Sequence, residues 1–428
     1  TGDSETWTSL FAYESPKPIT GIVLVDLDRD TNANTVTDNV GCATADVDVI
    51  TFGAEGVQIL LNELSEGSRE LQPVEQNEAF QQLQGVLTVA TVDFDYEGDL
   101  DLVVSSETGL SFWTNLGNMQ FEKLEGRAEL PPDDFHATQI LPVDVNRDIT
   151  ADLILRDDAS NRSGRMINLR HGEFIWQRFD TSTSDPATNG DQSTKALTAD
   201  VDSDGYIDFV IGGPQGIYLD PLVDRSPSDG EKNLSEQIID QSVNDLKMWD
   251  YDNDGALDLI AGTDAGIKIW RGARGAEFTA MNDLIPPDAA LENIRLLDVG
   301  DVDVDGDIDV AAATDERIFI LRNDGGNNNN WLDVALRAQA TPDRPQERVN
   351  IHGLGSTLEV KIGDEYMTRV VSEPVTHFGL GQHKTADVVR LVWPNGLPFS
   401  VIDPPANVAI CEEQRLLSSC AFLYAWNG

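Results

Sequence analysis

The sequence predicts an all-β chain of repeated four-stranded sheets, and three observations lead there. First, an acidic motif, D-x-D-x-D-G-x-x-D, recurs six times in 428 residues. Second, its last Asp falls at 48, 101, 152, 208, 258 and 309, so the steps are 53, 51, 56, 50 and 51 residues. A nearly fixed period of this size means one supersecondary unit repeated around a ring or along a stack. Third, short apolar runs alternate with turn residues between the copies, and no stretch has a helical period. Together these point to a β-propeller.

The elements follow in order along one unit. After Asp250, residues 256–262 read as one strand, 266–270 as the next and 277–280 as a third, and 293–299 lead into the following acidic loop. Turn residues fill the gaps at 263–266, 271–275 and 285–287. The same pattern recurs at 109–114, 120–124 and 136–143. The sixth unit reaches a strand at 317–322, then enters Asn323-Asp324-Gly325-Gly326 and an Asn run, so its outer strand is missing. Residues 5–11, which precede a Pro-rich turn and a strand at 19–25, supply a candidate. The expected fold is therefore a six-bladed Ca²⁺-binding β-propeller, with seven blades as the alternative count, closed by that N-terminal strand. Closure removes free sheet edges. Residues 327–428 lack acidic loops and carry strands at 331–336, 356–362, 366–371 and 387–393. The expected division is a propeller over 1–326 and a small C-terminal β domain over 327–428. The last ten residues read as the start of a further strand pair, so the natural chain is expected to continue.

The motif also carries the chemistry. Carboxylates at positions 1, 3 and 5 of a tight loop converge on one point, and position 9 adds another. A hard divalent cation takes six to eight oxygens at about 2.3–2.6 Å, which suits Ca²⁺ better than Mg²⁺. Gly at position 6 permits φ > 0 where the loop turns sharply. The predicted metal ligands are Asp26, Asp28, Asp30 and Asp48 in loop one, and Asp93, Asp95, Glu97 and Asp101 in loop two. They are Asp144, Asn146, Asp148 and Asp152 in loop three, and Asp200, Asp202, Asp204 and Asp208 in loop four. Loop five supplies Asp250, Asp252, Asp254 and Asp258, and loop six Asp301, Asp303, Asp305 and Asp309. An EF-hand is rejected, because the twelfth-position Glu is missing and an apolar strand follows, as in Leu257-Asp258-Leu259-Ile260. A single copy would be an ordinary acidic turn. Six copies with shared offsets, whose carboxylates repel one another unless neutralised, predict about four to six Ca²⁺ ions in mainly structural roles. Loop one, split by an insertion at 31–45, and loop three, with Asn146 and with Ile149 in place of Gly, are the weakest copies.

Composition narrows the partners. Twenty-nine Lys and Arg face 75 Asp and Glu, a formal charge of −46, which makes nucleic acid and anionic membranes poor partners. No apolar run is long enough to span a bilayer. Loops lacking the twelfth-position Glu suit the millimolar Ca²⁺ outside cells. Cys411 and Cys420 are close enough in sequence for a local disulfide, and Cys42 stands alone. Five His form no spaced metal set; His377 and His383 flank a Phe-Gly-Leu-Gly turn in a structural role. Gly353-Leu354-Gly355 lacks the third Gly of a nucleotide loop, and no G-x-S-x-G elbow is present. Trp113, Trp176, Trp249, Trp270 and Trp393 fall on strands and read as core.

The repeats resemble FG-GAP/VCBS repeats, the Ca²⁺-binding propeller blades of integrin α-chains and secreted microbial proteins. The order Asn330-Trp331-Leu332-Asp333, Gly353-Leu354-Gly355, His377-Phe378-Gly379-Leu380-Gly381, Val392-Trp393-Pro394-Asn395-Gly396 resembles the ASPIC/UnbV domain that follows such propellers in the cartilage acidic protein family. Asn350-Ile351-His352 departs from the family's pattern at that turn. The resemblance implies a secreted Ca²⁺-binding interaction protein with no catalytic residues to carry over. The expected function is non-catalytic adhesion or interaction at the cell surface or in the extracellular matrix, with a protein or glycan partner. One alternative is a subunit of an extracellular filament or surface layer that self-associates. The other is a polysaccharide-active propeller enzyme.

Overall fold

The computed structural model describes residues 15–28, 47–65, 68–117, 119–179, 195–221, 236–281, 284–285, 292–323, 325, 329–338 and 349–414. The chain is all-β apart from one helical turn, and up to residue 321 it is built from mainly antiparallel sheets whose first strands run in chain order. The first sheet is Gly21–Val25, Asp48–Gly53, Gly56–Ser65 and Ser68–Pro73. The second is Val86–Val92, Asp101–Ser106, Gly109–Asn115 and Phe121–Lys123, and the fifth is Asp245–Trp249, Asp258–Thr263, Gly266–Ala273 and Glu277–Met281. The fourth, Lys195–Ala199, Asp208–Gly213, Gly216–Pro221 and Glu236–Ile239, has the same plan. The third sheet gains a short fifth strand, Ala128–Glu129, parallel to Phe174–Arg178. The sixth has three strands among the described residues, Leu296–Gly300, Asp309–Ala313 and Ile318–Leu321. The candidate closing strand at 5–11 lies outside the described residues.

Each acidic loop joins the first strand of a sheet to the second, and the register is the same throughout. The ninth-position Asp sits opposite the last residue of the first strand: Asp48 opposite Val25, Asp101 opposite Val92, Asp152 opposite Val143, Asp208 opposite Ala199, Asp258 opposite Trp249 and Asp309 opposite Gly300. Four second strands are buried along their whole length, polar residues included: every residue of Asp101–Ser106, Asp152–Asp157, Asp208–Gly213 and Asp258–Thr263 is buried. First strands of successive sheets pack side by side, from 86–92 through 139–143, 195–199 and 245–249 to 296–300. Close approach explains two glycines in second strands: a Cβ on Gly212 would meet Val243 at 2.9 Å, and one on Gly262 would meet Ile294 at 2.6 Å. Among the described residues, the strands 296–300 and 21–25 do not pack on each other in this way.

The sequence showed no helix, yet one turn, Glu78–Gln81, is helical. Asn77 caps it by accepting the Phe80 N–H at 3.0 Å, and Phe80 is buried against Trp113 and Phe121. A single turn is too short to leave a periodic signal.

Residues 330–413 form two further sheets. Val375–Gly381, Asn330–Arg337 and Val408–Glu413 make one; Glu365–Val370, Thr357–Ile362, Val388–Val392 and Pro398–Ile402 make the other. Leu332, Val334, Leu358, Val360, Phe378, Leu391 and Trp393 join in one core between them. The expected Phe-Gly-Leu-Gly turn is instead strand, paired to residues 330–335, because Phe378 and Leu380 are core residues. Cys411 is disulfide-bonded, and its partner lies outside the described residues.

Candidate metal centres

The local fold of the loops follows from their backbone N–H groups. In loop five, Asp250 accepts from Asp254 N–H at 3.0 Å and from Gly255 N–H at 2.8 Å, while Asp254 accepts from Ala256 N–H at 2.9 Å. Loops three, four and six repeat this pattern through Asp144, Asp200 and Asp301. Two residues in each of loops two to six take the left-handed conformation. The fourth position does so at Tyr96, Arg147, Ser203, Asn253 and Val304, with φ between 57° and 63°. The sixth does so at Gly98, Gly205, Gly255 and Gly306, and also at Ile149, where φ is 76°. A β-branched residue there is a backbone outlier.

The ninth-position Asp does more than the sequence indicated. Asp258 accepts from Tyr251 N–H at 2.8 Å and from Gly272 N–H at 2.7 Å. Asp101 accepts from Phe94 and Asn115, Asp152 from Val145 and Asn168, and Asp309 from Val302 and Asn323. This Asp therefore staples its loop to the third strand of its own sheet. Sequence reasoning missed the partner, an Asn fourteen residues later in three sheets, Asn62, Asn115 and Asn323, and sixteen residues later in the third sheet, Asn168. Asn62, Asn115 and Asn168 donate their side-chain amides back to residue eight of the loop, at Val47, Leu100 and Ala151. The offset of fourteen shared by Asn62, Asn115 and Asn323 was the available signal.

The carboxylates that a cation would need come together in five loops. Asp26, Asp28 and Asp48; Asp93, Asp95 and Asp101; Asp200, Asp202 and Asp208; Asp250, Asp252 and Asp254; and Asp301, Asp303 and Asp309 each place one oxygen within 4.8 Å of the others. Two oxygens on one Ca²⁺ at about 2.3–2.6 Å lie at most about 5.2 Å apart, so these donor sets fit a single ion. Asp30 lies outside the described residues. Glu97, Asp204, Asp258 and Asp305 are not in these sets. Loop three converges on nothing comparable among the described residues: Asn146 donates its amide to Asp148 at 3.1 Å and accepts the Asp148 N–H at 2.9 Å. The amide supplies internally what a cation would supply elsewhere.

Electrostatics mark the same positions. Burial pushes the Asp48 and Asp152 carboxyls up to about 7 against two backbone N–H bonds each, and neighbouring carboxylates add to the rise. Burial, then Asp250, pushes Asp258 up to about 9. Burial raises Asp250 to about 7 and Asp200 to about 6. Two arginines partly neutralise the loops: Arg271 meets Asp252 at 2.8 Å and Asp254 at 2.6 Å, and Arg322 meets Asp303 at 3.4 Å.

The region 330–413 rests on these loops. His352 Nε2 lies 3.1 Å from Asp26 of loop one. His377 lies 2.6 Å from Asn253 Oδ1 of loop five and 2.8 Å from Asp333, and Trp331 stacks on its ring. Asn253 in turn donates to Gly306 O of loop six at 3.0 Å. A Cβ on Gly379 would meet Asp250 Oδ2 at 2.1 Å, which fixes glycine there. His352, where the chain departs from the family pattern, is thus a contact to the loops.

Comparison with known proteins agrees with this geometry. A family model described as FG-GAP-like repeat matches residues 93–155 and 250–311, and one described as ASPIC and UnbV matches 347–410. Cartilage acidic protein 1 of Homo sapiens is 26% identical over 268 residues. The chain is a relative of cartilage acidic protein 1, built from FG-GAP repeats and an ASPIC/UnbV segment. The human match covers 58% of this chain and 39% of that protein; the Xenopus tropicalis protein is 26% identical over 54% of this chain and 38% of its own length. The chain therefore spans about two fifths of the curated relatives it matches. Among solved structures, an Agrocybe aegerita lectin that recognises non-reducing terminal N-acetylglucosamine superposes with a TM-score of 0.50 at 19% identity, covering 68% of this chain and 76% of that one. That likeness concerns the fold alone. Among the described residues, no helix is long and apolar enough to cross a membrane.

Proposed function

We propose that this chain is a calcium-stabilised propeller, six-bladed over residues 1–326 with a β domain over 327–428. In this reading it acts outside the cell as a non-catalytic module that binds a protein or glycan. The observation that carries the reading is the recurrence of one loop geometry with converging carboxylates in five of six sheets. Bound Ca²⁺ would supply the positive charge that these carboxylates lack. Asp26, Asp28 and Asp48, Asp93, Asp95 and Asp101, Asp200, Asp202 and Asp208, Asp250, Asp252 and Asp254, and Asp301, Asp303 and Asp309 would hold it, with Asp30, Glu97, Asp204, Asp258 and Asp305 as further oxygens. The main-chain N–H bonds to positions one and nine hold those carboxylates in place before any ion arrives, so little ordering remains to oppose binding.

Similarity to cartilage acidic protein 1 and loops suited to millimolar Ca²⁺ support an extracellular setting. The binding role is tested by probing the calcium-loaded chain on an array of extracellular matrix proteins and glycans, including chains ending in N-acetylglucosamine. Retention of a defined partner in Ca²⁺, lost in chelator, is the expected result. Turnover of an arrayed glycan, or retention indifferent to Ca²⁺ in a chain that chelator unfolds, would overturn it.

A further inference from the structure

Neighbouring acidic loops are tied to one another, and the ties repeat. One runs forward from the fourth position of a loop. Tyr96 Oη of loop two accepts the Ala151 N–H of loop three at 3.0 Å. The Arg147 guanidinium of loop three lies 4.5 Å from the centre of the Tyr206 ring of loop four. Asn253 of loop five donates to Gly306 O of loop six at 3.0 Å and to Asp307 Oδ1 at 3.1 Å. The other tie runs back to the second position of the preceding loop. The Asn168 amide donates to Phe94 O at 3.1 Å, and the Asn323 amide donates to Tyr251 O at 2.9 Å.

The step from loop five to loop six joins one carboxylate set directly to the next. Asn253 is buried, with 1% of its surface exposed, and stands between Asp252 and Asp254 of the loop-five set. Its amide holds the carbonyl of Gly306, whose own N–H donates to Asp301 Oδ2 at 2.8 Å. Asp301 belongs to the loop-six set. His377 Nε2 lies 2.6 Å from Asn253 Oδ1, so the amide is engaged at both ends. Loop five also has an unmet need for positive charge. Arg271 meets Asp252 Oδ2 at 2.8 Å, but Asp252 Oδ1 is buried and accepts no hydrogen bond among the described residues. A buried acceptor without a partner is costly.

We propose that loops five and six bind calcium cooperatively, with Asn253 as the positioning residue that couples them. This coupling rests on the calcium role proposed above and goes beyond it. A cation that draws in Asp252 and Asp254 fixes Asn253 between them, and Asn253 holds the Gly306 peptide on Asp301. The ordering that the two loops still require is then met once, by the first ion, and the second binds more tightly. Repulsion between two cations acting alone would have the opposite sign.

Equilibrium dialysis of the full chain against radioactive calcium tests the coupling. Asp252→Asn with Asp254→Asn disables loop five, and Asp301→Asn with Asp303→Asn disables loop six. Each pair should remove one ion and weaken one remaining ion by about fivefold or more, by the same factor in both directions, because coupling is reciprocal. Asp93→Asn with Asp95→Asn in loop two should remove one ion and leave the rest unchanged. Its forward tie ends in loop three, which gathers no such set among the described residues. Asn253→Gly keeps every carboxylate and suits the left-handed backbone. It should bind as many ions as the parent at saturating calcium, and disabling loop five in that background should no longer weaken another ion. Remaining affinities that stay unchanged or rise when loop five or six of the parent is disabled overturn the coupling while the calcium role stands. A parent that binds no calcium overturns both. Coupling that survives in folded Asn253→Gly overturns the part given to Asn253. Should Asn253→Gly fail to fold, Asn323→Ala, which removes the tie to Tyr251, decides in its place: coupling at full parental strength then overturns the role of the ties.

Discussion

Loops three and five share a backbone but differ in what neutralises them. Loop five gathers Asp250, Asp252 and Asp254 within 4.8 Å of one another, turns on Gly255 and lies under Gly379 and His377. Loop three turns on Ile149 and satisfies Asp148 with the amide of Asn146. Both keep the ninth Asp stapled by two backbone N–H groups. The difference separates two tasks that the motif merges: the first and ninth Asp fold the loop, while the complete carboxylate set makes it hungry for a cation. A copy can lose the second task and keep the first.

The largest effect should come from the shared part. Asp258→Ala leaves the buried N–H groups of Tyr251 and Gly272 unpaired, a loss of about 2–5 kcal/mol. Asp152→Ala should cost a similar amount through Val145 and Asn168. Denaturant unfolding of both variants checks this, and a neutral Asp152→Ala would break the likeness between the loops.

The next effect should divide them. Replacing Asp252 and Asp254 by Asn should lower stability by about 2–3 kcal/mol at calcium a hundredfold above its Kd, and much less in chelator. Asp148→Asn in loop three should change stability equally little in both conditions. Melts with and without calcium measure the difference; equal losses for the loop-five variant in both buffers would remove the role assigned to that site.

A third prediction concerns pH. The raised carboxyls of Asp48, Asp152, Asp200, Asp250 and Asp258 disfavour the charged form in the fold. Their contribution is complete below the unfolded value near 4 and is lost as pH rises through about 6 to 9. Each group counts on the order of 1 kcal/mol or more. In chelator, the melting midpoint should fall steadily from pH 5 to pH 8. Calcium holds the charged forms, so the fall should flatten or reverse in its presence.

The smallest effect should favour loop three. Ile149→Gly relieves a left-handed β-branched residue and should gain roughly 0.5–1 kcal/mol after the entropic penalty of glycine. A loss on this change would mean that packing of the Ile149 side chain outweighs the backbone strain.

Much of this was legible in the sequence. The period of the ninth Asp marked the first residue of all six second strands, and the one second strand given bounds, 256–262, lies within two residues of Asp258–Thr263. Lone turns, such as the helical one under Phe80, left no periodic trace. The docking of the C-terminal region was also invisible, since His352 and His377 meet Asp26 and Asn253 across 326 and 124 residues. Nothing in local spacing records such pairs. The Asn that follows the ninth Asp was readable and was masked by the acidic signal beside it.

Calcium per chain, measured by elemental analysis and paired with a thermal melt in excess chelator, tests the central claim most directly. The account predicts four or five ions, matching the converging loops, and a midpoint at least about 5 °C lower once they are removed. Fewer than two ions with an unchanged melt would mean that the loops are acidic turns held by their own N–H groups, and the metal role would fall.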